Sequence, residues 1–245
     1  MDLLQQIAER YGLNHVIFND TEFQPIEGNH QITSAVCWRD ALTGEEGRHG
    51  TKELSRMDKP PYPIGRDSLF VAHYSTAELH SHLSLGWELP DNVIDTWAEE
   101  RVIRLGKPSP YGFGLLDCLS RYGHQTREKT EKTFFQEMGA NGGPKTAEEE
   151  VGFLEYCYQD ALDGGNIFLS QLPSINIPQA IHRGRYMKAV TKMEWSGVPV
   201  DVPLFNHLKD KWADIQQLLI DRVNDKYECY VDGKFSSKHF EAYLY

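Results

Sequence analysis

The sequence has 245 residues, of which 40% are hydrophobic and 11% aromatic, and a formal net charge of −11. These values indicate a globular protein with one large domain, or one domain and an appendage, and the negative charge argues against nonspecific nucleic-acid binding through overall charge. No apolar run approaches the length of a membrane span, and the N-terminus lacks the features of a secretory signal. The four cysteines show neither metal-site nor disulfide spacing, so we expect a cytoplasmic protein with no membrane partner.

The first elements of the chain predict the start of an antiparallel sheet. Residues 1–11 have the apolar spacing of a short helix, and the apolar run at 16–23 predicts a strand. After a loop at 24–31, a second strand is expected over 32–39 and a weakly marked third near 48–54. Short turns join these strands, which favours antiparallel pairing.

A β-α-β unit is expected next, after a proline-rich loop. Residues 68–72 form an apolar run typical of a buried strand, and the segment 73–83 continues into a helix that Gly86 interrupts near its end. Residues 92–97 predict another short buried strand. Because such a crossover joins parallel strands, the sheet should be mixed.

The second half of the chain predicts mainly helices. Helices and loops are expected over 98–145, and a capping box at 146–149 opens a helix that should end near Asp163, where Gly164-Gly165 follows.

From His182 onward the pattern is again helical. Gly197 and Pro199 end one helix, and Asp201 caps a long amphipathic helix. Residues 227–245 show no complete element. Because the chain ends in an apolar stretch, we expect it to be part of something longer.

Paired carboxylates end the first strand. Asp20 and Glu22 are two residues apart, so in a strand they point to the same face. Two like charges this close repel each other, and a bound divalent cation would offset that repulsion. Mg²⁺ is such a cation, and it prefers oxygen ligands. The alternative is a strand end that runs into a solvated acidic turn.

Two further acids have suitable positions. Glu78 follows the 68–72 strand, and Asp160 lies on the capped helix with Tyr156 one turn before it, on the same helix face. Ligands of an open α/β sheet gather beyond the carboxyl ends of its strands. Acids with a tyrosine suit metal-assisted phosphodiester hydrolysis, in which two ions about 4 Å apart activate water and stabilise the leaving oxygen. The alternative is four separate surface carboxylates.

The order of these motifs resembles that of the DEDD exonuclease superfamily, tyrosine subtype, which includes ribonuclease D and the proofreading domains of family A DNA polymerases. The matching motifs are Asp20-x-Glu22, Ala72-His73-Tyr74-x-x-x-Glu78 and Tyr156-x-x-x-Asp160. The resemblance covers about residues 10–245. It implies an α/β, ribonuclease H-like fold: a mixed sheet of about five strands flanked by helices, plus a C-terminal helical segment.

The C-terminal part resembles the junction between the exonuclease and polymerase parts of a divergent phage or bacterial family A polymerase. The residues concerned are Tyr186-Met187-x-Ala189-Val190-x-x-Met193-Glu194-x-x-Gly197-Val198-Pro199-Val200-Asp201. The resemblance therefore implies an exonuclease domain at 1–181 and a truncated helical start of a polymerase domain at 182–245. The polymerase catalytic motifs do not occur in the sequence, which excludes polymerisation by this chain.

The resemblance also implies roles for individual residues. Asp20, Glu22 and Asp160 would hold one Mg²⁺ or Mn²⁺, Asp20 and Glu78 would hold a second, and Tyr156 would position the attacking water. Nucleic-acid contacts are implied for Thr21, Phe23, His73 and Tyr74.

Two residues depart from the family pattern. Proofreading domains usually have aspartate at the position of Glu78 and often asparagine at that of Tyr74. The second metal is therefore expected to be held more loosely, with weaker activity or a preference for Mn²⁺.

The implied activity is 3′-to-5′ exonuclease digestion of single-stranded DNA from its 3′ end, with nucleoside monophosphate as product, in proofreading during DNA replication. RNA is an alternative substrate, because the acids do not distinguish the sugars. A non-catalytic nucleic-acid-binding scaffold is a third interpretation, favoured only by Glu78.

Other histidines, acids and basic residues allow alternative interpretations of the site. His73, His80 and His82 suggest a zinc site, although residues two apart do not share a helix face. Asp95 and Asp163 are rival carboxylates, with Asp163 expected at a solvated helix end. A basic set is expected either to follow a phosphate backbone or to form an ordinary solvated face: Arg183, Arg185, Lys188 and Lys192.

Overall fold

The structure is a computed structural model that describes residues 3–108 and 110–245. Within these residues the chain divides into two compact units, Met1–Gly197 and Val198–Tyr245. No helix in the described ranges is long and apolar enough to cross a membrane.

The first unit is built on a mixed sheet, which across the described residues has five strands in the order β3-β2-β1-β4-β5. β1 pairs antiparallel with β2 and parallel with β4, β2 pairs antiparallel with β3, and β4 pairs parallel with β5. This arrangement confirms the predicted ribonuclease H-like mixed sheet. The strands are β1 (His15–Pro25), β2 (Gln31–Asp40), β3 (Glu46–Gly50), β4 (Ser68–Ala72) and β5 (Asn92–Asp95).

Helices flank this sheet. Their bounds are α1 (Leu3–Tyr11), α2 (Thr51–Leu54), α3 (Thr76–Ser84), α4 (Thr96–Ile103), α5 (Leu115–Arg121), α6 (Lys129–Ala140), α7 (Ala147–Gln171) and α8 (Ile177–Ser196). The helix predicted over 1–11 is thus observed as α1, and its first two residues lie outside the described part.

The two faces of β1 belong to different hydrophobic clusters. Val16 and Phe18 pack in the cluster that includes residues of α1 and α7, whereas Ile17 between them packs on the other face with Phe70 and Leu79. This alternation follows from the two-residue period of a strand. It leaves both faces of the central strand buried and brings its end to the site described below.

The predicted end of α7 at Gly164-Gly165 is wrong. The helix continues to Gln171, and both glycines are buried within it. A Cβ atom built on Gly165 would lie 2.2 Å from Cδ2 of Phe18, so the residue serves a close approach of α7 to β1. Close packing here outweighs the low helix propensity of glycine.

Other predicted boundaries shift. The strand expected near 48–54 ends at Gly50, and the strand expected over 92–97 ends at Asp95 because its carboxylate caps α4.

The first compact unit extends to Gly197, beyond the predicted boundary at 181, since α8 packs on β5. A Cβ on Gly184 would lie 1.9 Å from the Val93 carbonyl oxygen, which shows how close this packing is.

The second unit contains the helices and short strands after Gly197. The predicted long amphipathic helix is two helices, with Lys211 between them, and a small hairpin follows, so residues 227–245 do form elements, contrary to expectation. These elements are α9 (Val202–Asp210), α10 (Trp212–Tyr227), β6 (Tyr230–Val231), β7 (Lys234–Phe235) and α11 (Ser237–Leu244).

Candidate active site

Three carboxylates converge at the end of β1. Asp20 and Glu22 project from the strand as the two-residue spacing predicts, and Asp160 reaches them from α7. One carboxylate oxygen from each lies within 4.8 Å of the others. Asp160 is 4% exposed, whereas the other two residues are partly exposed. The crossing of α7 over β1, close enough to need Gly165, therefore assembles the cluster.

Glu78 lies in the first turn of α3 and lines the same cavity, which has a volume of about 480 Å³. It lies outside the 4.8 Å group of three acids but is only 3% exposed. Among the described residues, Oε2 of Glu78 and Oδ2 of Asp20 are buried without a hydrogen-bond partner. Such unpaired carboxylate oxygens are costly to bury, so they point to a missing ligand.

The electrostatic state of the acids follows from their burial. Burial raises the pKa of Asp20 to about 7, with nearby cations partly opposing the shift. The pKa of Glu22 is raised well above its usual value, by burial and then by the charge of Asp20. The pKa of Glu78 is raised in the same way, by burial and then by Asp20. Without a cation the cluster therefore retains protons near neutral pH.

Tyr156 lies beside the acids, one helical turn before Asp160. It is 3% exposed, and its hydroxyl oxygen is buried with no partner in the described part of the chain. The pKa of this hydroxyl is raised by burial and then by the charges of Glu22 and Asp20, so it remains a proton donor. Its ring stacks on Phe135 at a centroid distance of 4.9 Å, which holds its orientation.

Two cations that sequence reasoning missed contact the acids. The Arg127 guanidinium pairs with Asp160 and, at 3.3 Å, with Asp163, and Lys132 Nζ of α6 lies 3.3 Å from Oδ2 of Asp160. Lys132 also lines the cavity, and burial lowers the pKa of its ammonium group. Residues 127–132 match no sequence motif, and only tertiary packing brings these two side chains to the acids.

The donor set fits a hard divalent cation. Four carboxylates line one cavity, and the buried oxygens of Asp20 and Glu78 lack partners among the described residues. Burial is the main cause of the raised pKa values of these two acids, so a cation bound beside them would favour their charged forms. Oxygen ligands with several negative charges suit Mg²⁺ and Mn²⁺. The residues present therefore match the group that the acid pattern implies.

The residues predicted to contact nucleic acid fall into different places. Thr21, Phe23 and His73 line the cavity with the acids, and Tyr74 lines a neighbouring cavity. The Thr21 hydroxyl accepts a hydrogen bond from Ser81 Oγ, so the side chain ties β1 to α3.

Arg185 and Lys188 lie elsewhere. They line a cavity of about 610 Å³ with Arg66, Asp91 and Asn92. Asn92 begins β5, whereas Asp20 and Glu22 lie in the second half of β1, beyond the last β1 residue that pairs with β4. Because β1, β4 and β5 run parallel, the two cavities lie at opposite ends of these strands.

Arg183, from the same basic set, is used structurally. It makes two hydrogen bonds of 2.6 Å to Glu99, one from Nε and one from Nη2, and this pair fixes α8 to α4.

The rival metal sites have structural roles instead. Asp95 accepts hydrogen bonds from the backbone of Tyr74, Ser75 and the first turn of α4. Asp163 is buried inside α7 and pairs with Arg127, so its predicted position at a solvated helix end is wrong.

The three histidines of the zinc alternative have separate partners. His82 contacts the Tyr62 hydroxyl and the Glu88 carbonyl, His80 contacts the Thr191 carbonyl, and His73 donates to the Phe113 carbonyl. This arrangement does not support a shared zinc site.

Comparison with solved structures shows the same fold. The chain is similar to Escherichia coli RNase D, described as an exoribonuclease involved in structured RNA processing, with 18% identity and a TM-score of 0.50 over 87% of this chain and 51% of that one. It is similar to the catalytic core of RRP6 from Trypanosoma brucei, with 14% identity and a TM-score of 0.51 over 98% and 65%. A nuclease solved in its apo form gives 14% identity and a TM-score of 0.52 over 80% and 93%.

The chain thus spans about half the length of RNase D and 65% of the RRP6 core. No protein-family model and no curated protein matches the sequence.

Proposed function

We propose that the chain is a divalent-metal-dependent exonuclease that removes nucleotides from the 3′ end of a single-stranded nucleic acid. The observation that carries this proposal is the set of four carboxylates around one cavity, with unpaired buried oxygens on Asp20 and Glu78 and an unpaired hydroxyl on Tyr156. The fold shared with the nucleases described above, RNase D among them, supports it.

In this proposal Asp20, Glu22, Glu78 and Asp160 hold two ions of Mg²⁺ or Mn²⁺. Bound ions of this kind supply an activated water and stabilise the leaving oxygen in phosphodiester hydrolysis. The Tyr156 hydroxyl donates a hydrogen bond that orients the attacking water, because it lies beside the acids and has no other partner among the described residues. The product is a nucleoside monophosphate.

We also assign Lys132 to the substrate phosphate. Its ammonium lines the cavity and lies 3.3 Å from Asp160. A bound divalent ion would compete for that carboxylate, and a phosphate in the same cavity would give the ammonium a new anionic partner. A charge-assisted contact of this kind offsets charge that develops during hydrolysis.

Single-stranded DNA is the first candidate substrate. The segment from Tyr186 to Asp201, which resembles the polymerase junction, supports DNA and a proofreading role in a family A polymerase. Asp201, the last residue of that segment, caps α9 through the Leu204 amide.

RNA is the second candidate, and the observation that favours it is the structural similarity to RNase D, an exoribonuclease. Neither the acids nor Tyr156 read the sugar, so the choice depends on contacts outside the cluster.

The test is digestion of 5′-labelled single-stranded DNA and RNA of matched sequence in Mg²⁺ and in Mn²⁺. We expect a ladder that shortens from the 3′ end and disappears with EDTA and in the Asp20→Asn variant, while the matched exposed variant Asp67→Asn keeps it. The faster of the two substrates identifies the sugar. No ladder on either substrate with either ion would overturn the catalytic proposal and leave a binding scaffold.

Arg185 and Lys188 are proposed to contact phosphates of the nucleic acid away from its 3′ end. With Arg66 they line a cavity at the end of the parallel β-strands opposite to the acids. Their contribution should be limited to long strands and should fall with salt.

A further inference from the structure

A second cavity adjoins the acids and is built differently. It has a volume of about 240 Å³ and shares Phe23, Pro25 and Ala77 with the catalytic cavity, so the two are continuous. The rings around it are those of Phe23, His30, Tyr74 and His80. Phe23 and Tyr74 are predicted nucleic-acid contacts, whereas His30 and His80 have no role in the proposed function.

Ring contacts make one wall of the cavity rigid. Trp195, near the end of α8, packs on His30 at a centroid distance of 4.1 Å and lies 6.2 Å from His80, with an angle of 30° between the Trp195 and His80 ring planes. The loop between β1 and β2, which carries His30, is thereby fixed to α8. Flat rings fixed in place suit stacking, because little conformational freedom is lost on binding.

The opposite wall is also held in place. Tyr74 has a φ of +70°, a left-handed conformation unusual for a residue with a large side chain. Its amide donates to Asp95, and its ring, half exposed, meets the edge of Trp97 at 5.3 Å. Such strain persists when the surroundings impose it, and it is frequent at ligand sites.

The charge of the cavity selects for a base over a phosphate. Of the described residues that line it, none is lysine or arginine, and the one carboxylate is that of Glu194. The Glu194 carboxylate lies 3.7 Å from Nε2 of His80. The cavity therefore offers a phosphate no lysine or arginine partner, whereas a base presents a flat face to the rings.

From this geometry we propose that the cavity binds a base of the substrate strand next to the hydrolysed bond, with His30 and Tyr74 as stacking surfaces and Trp195 as the positioning residue behind His30. This inference rests on the proposed function for the identity of the strand. Stacking accepts any base, so the site contributes affinity and register without sequence preference.

The test is binding of fluorescein-labelled single-stranded DNA, measured by anisotropy in Ca²⁺, with strand length checked on a gel afterwards. The strands carry one abasic residue at successive positions from the 3′ end. We expect His30→Ala and Trp195→Leu to weaken binding of the intact strand by roughly fivefold to hundredfold. On the strand that lacks the base held by the cavity, the variants should bind with the same affinity as the wild type. His49→Ala and Trp212→Leu, which change the same residue types outside the cavity, should bind like the wild type.

Two results overturn this inference and leave the proposed function standing. In the first, the variants bind the intact strand like the wild type; in the second, the variants lose the same affinity relative to the wild type at every abasic position. A wild-type chain that binds no single strand overturns it together with the proposed function. Digestion is measured separately, so a chain that fails to cleave but shows the position-specific loss retains this inference.

Discussion

The polar atoms that lack partners carry most of the functional argument at the scale of single residues. Oδ2 of Asp20, Oε2 of Glu78 and the Tyr156 hydroxyl are buried without partners in the described part of the chain, and unpaired buried polar groups cost stability. The Asp20-Glu22 and Tyr156-Asp160 pairs were predictable from sequence, because strand and helix periods fix which side chains share a face. Arg127 and Lys132 were not, since only tertiary packing brings them to Asp160.

Tyr156→Phe removes the hydroxyl and keeps the ring that packs on Phe135. If the hydroxyl orients water, we expect kcat to fall by roughly 10²-fold with little change in KM. Stability should be unchanged or slightly raised, because the lost hydroxyl is buried with no hydrogen-bond partner in the described structure. The matched control is Tyr158→Phe, whose hydroxyl instead pairs with Glu46 on β3. Equal kinetics for Tyr156→Phe and the control would contradict the assigned role.

The raised pKa of Asp20 gives a dependence on pH in the absence of metal. A group with a pKa of about 7 in the folded chain and 3.8 as its ordinary value holds its proton more tightly when folded. Its stabilising contribution is therefore complete below about pH 4 and is lost as the pH rises through about 7. Asp20→Asn should raise the melting temperature in EDTA by roughly 2–8 °C at about pH 8 and leave it unchanged at about pH 4.

Bound metal should restore the stability that the wild-type chain loses at high pH in EDTA. Mg²⁺ or Mn²⁺ should raise the melting temperature of the wild type more at about pH 8 than at about pH 5, because binding at the lower pH must first displace protons. Asp20→Asn should show little response to metal. A wild-type chain equally stable at both pH values in EDTA, and unresponsive to metal, would contradict the electrostatic description of the cluster.

Glu78 tests how the second ion is held, because its carboxylate lies outside the group of three acids. Glu78→Gln keeps length and loses charge, and we expect about a 10²-fold loss of activity with either ion. Glu78→Asp keeps charge and loses length, so activity should fall more in Mg²⁺ than in Mn²⁺, since Mg²⁺ demands near-ideal geometry. Glu53→Gln is the control. A Glu78→Asp variant faster in Mg²⁺ than the wild type would show instead that glutamate is the poorer ligand here.

At the scale of elements, the approach of α7 to β1 assembles the site. The sequence led to a helix end at Gly164-Gly165, because two glycines normally disfavour a helix. Their actual role, close contact with a neighbouring strand, depends on a partner far away in the chain and leaves no local signal. The same holds for Gly184, which allows α8 to approach β5 and extends the first unit to Gly197.

Gly165→Ala tests this packing. The new methyl group would lie 2.2 Å from the Phe18 ring, so we expect a loss of about 1–3 kcal/mol in the free energy of unfolding, or roughly 2–12 °C in melting temperature. Gly152→Ala is the matched control within the same helix. Its methyl group would meet Phe135 at an ordinary 3.5 Å, so it should be neutral or stabilising. Equal melting temperatures for the two variants would contradict the packing argument.

At the scale of the whole molecule, charge is distributed to suit an acidic, metal-holding centre with separate cationic contacts. The chain carries a net charge of −11, yet Lys132 lines the cavity of the four acids, and Arg66, Arg185 and Lys188 line another at the opposite end of the parallel strands. The mixed sheet and the order of its motifs were predictable, because strand polarity determines which ends meet. The separation of Arg185 and Lys188 from the acids was not, since helix periodicity does not show which edge of the sheet α8 covers.

Mass analysis of the product in ¹⁸O-labelled water tests the central claim most directly. The wild-type chain, with Mg²⁺ or Mn²⁺ and a single-stranded substrate, should release nucleoside 5′-monophosphates whose phosphate carries one ¹⁸O atom, starting at the 3′ end. This result follows if the acids and Tyr156 direct water to the phosphorus atom and the 3′ oxygen leaves. Release of cyclic or 3′-phosphates, internal cleavage without monophosphate, or intact substrate would contradict the account.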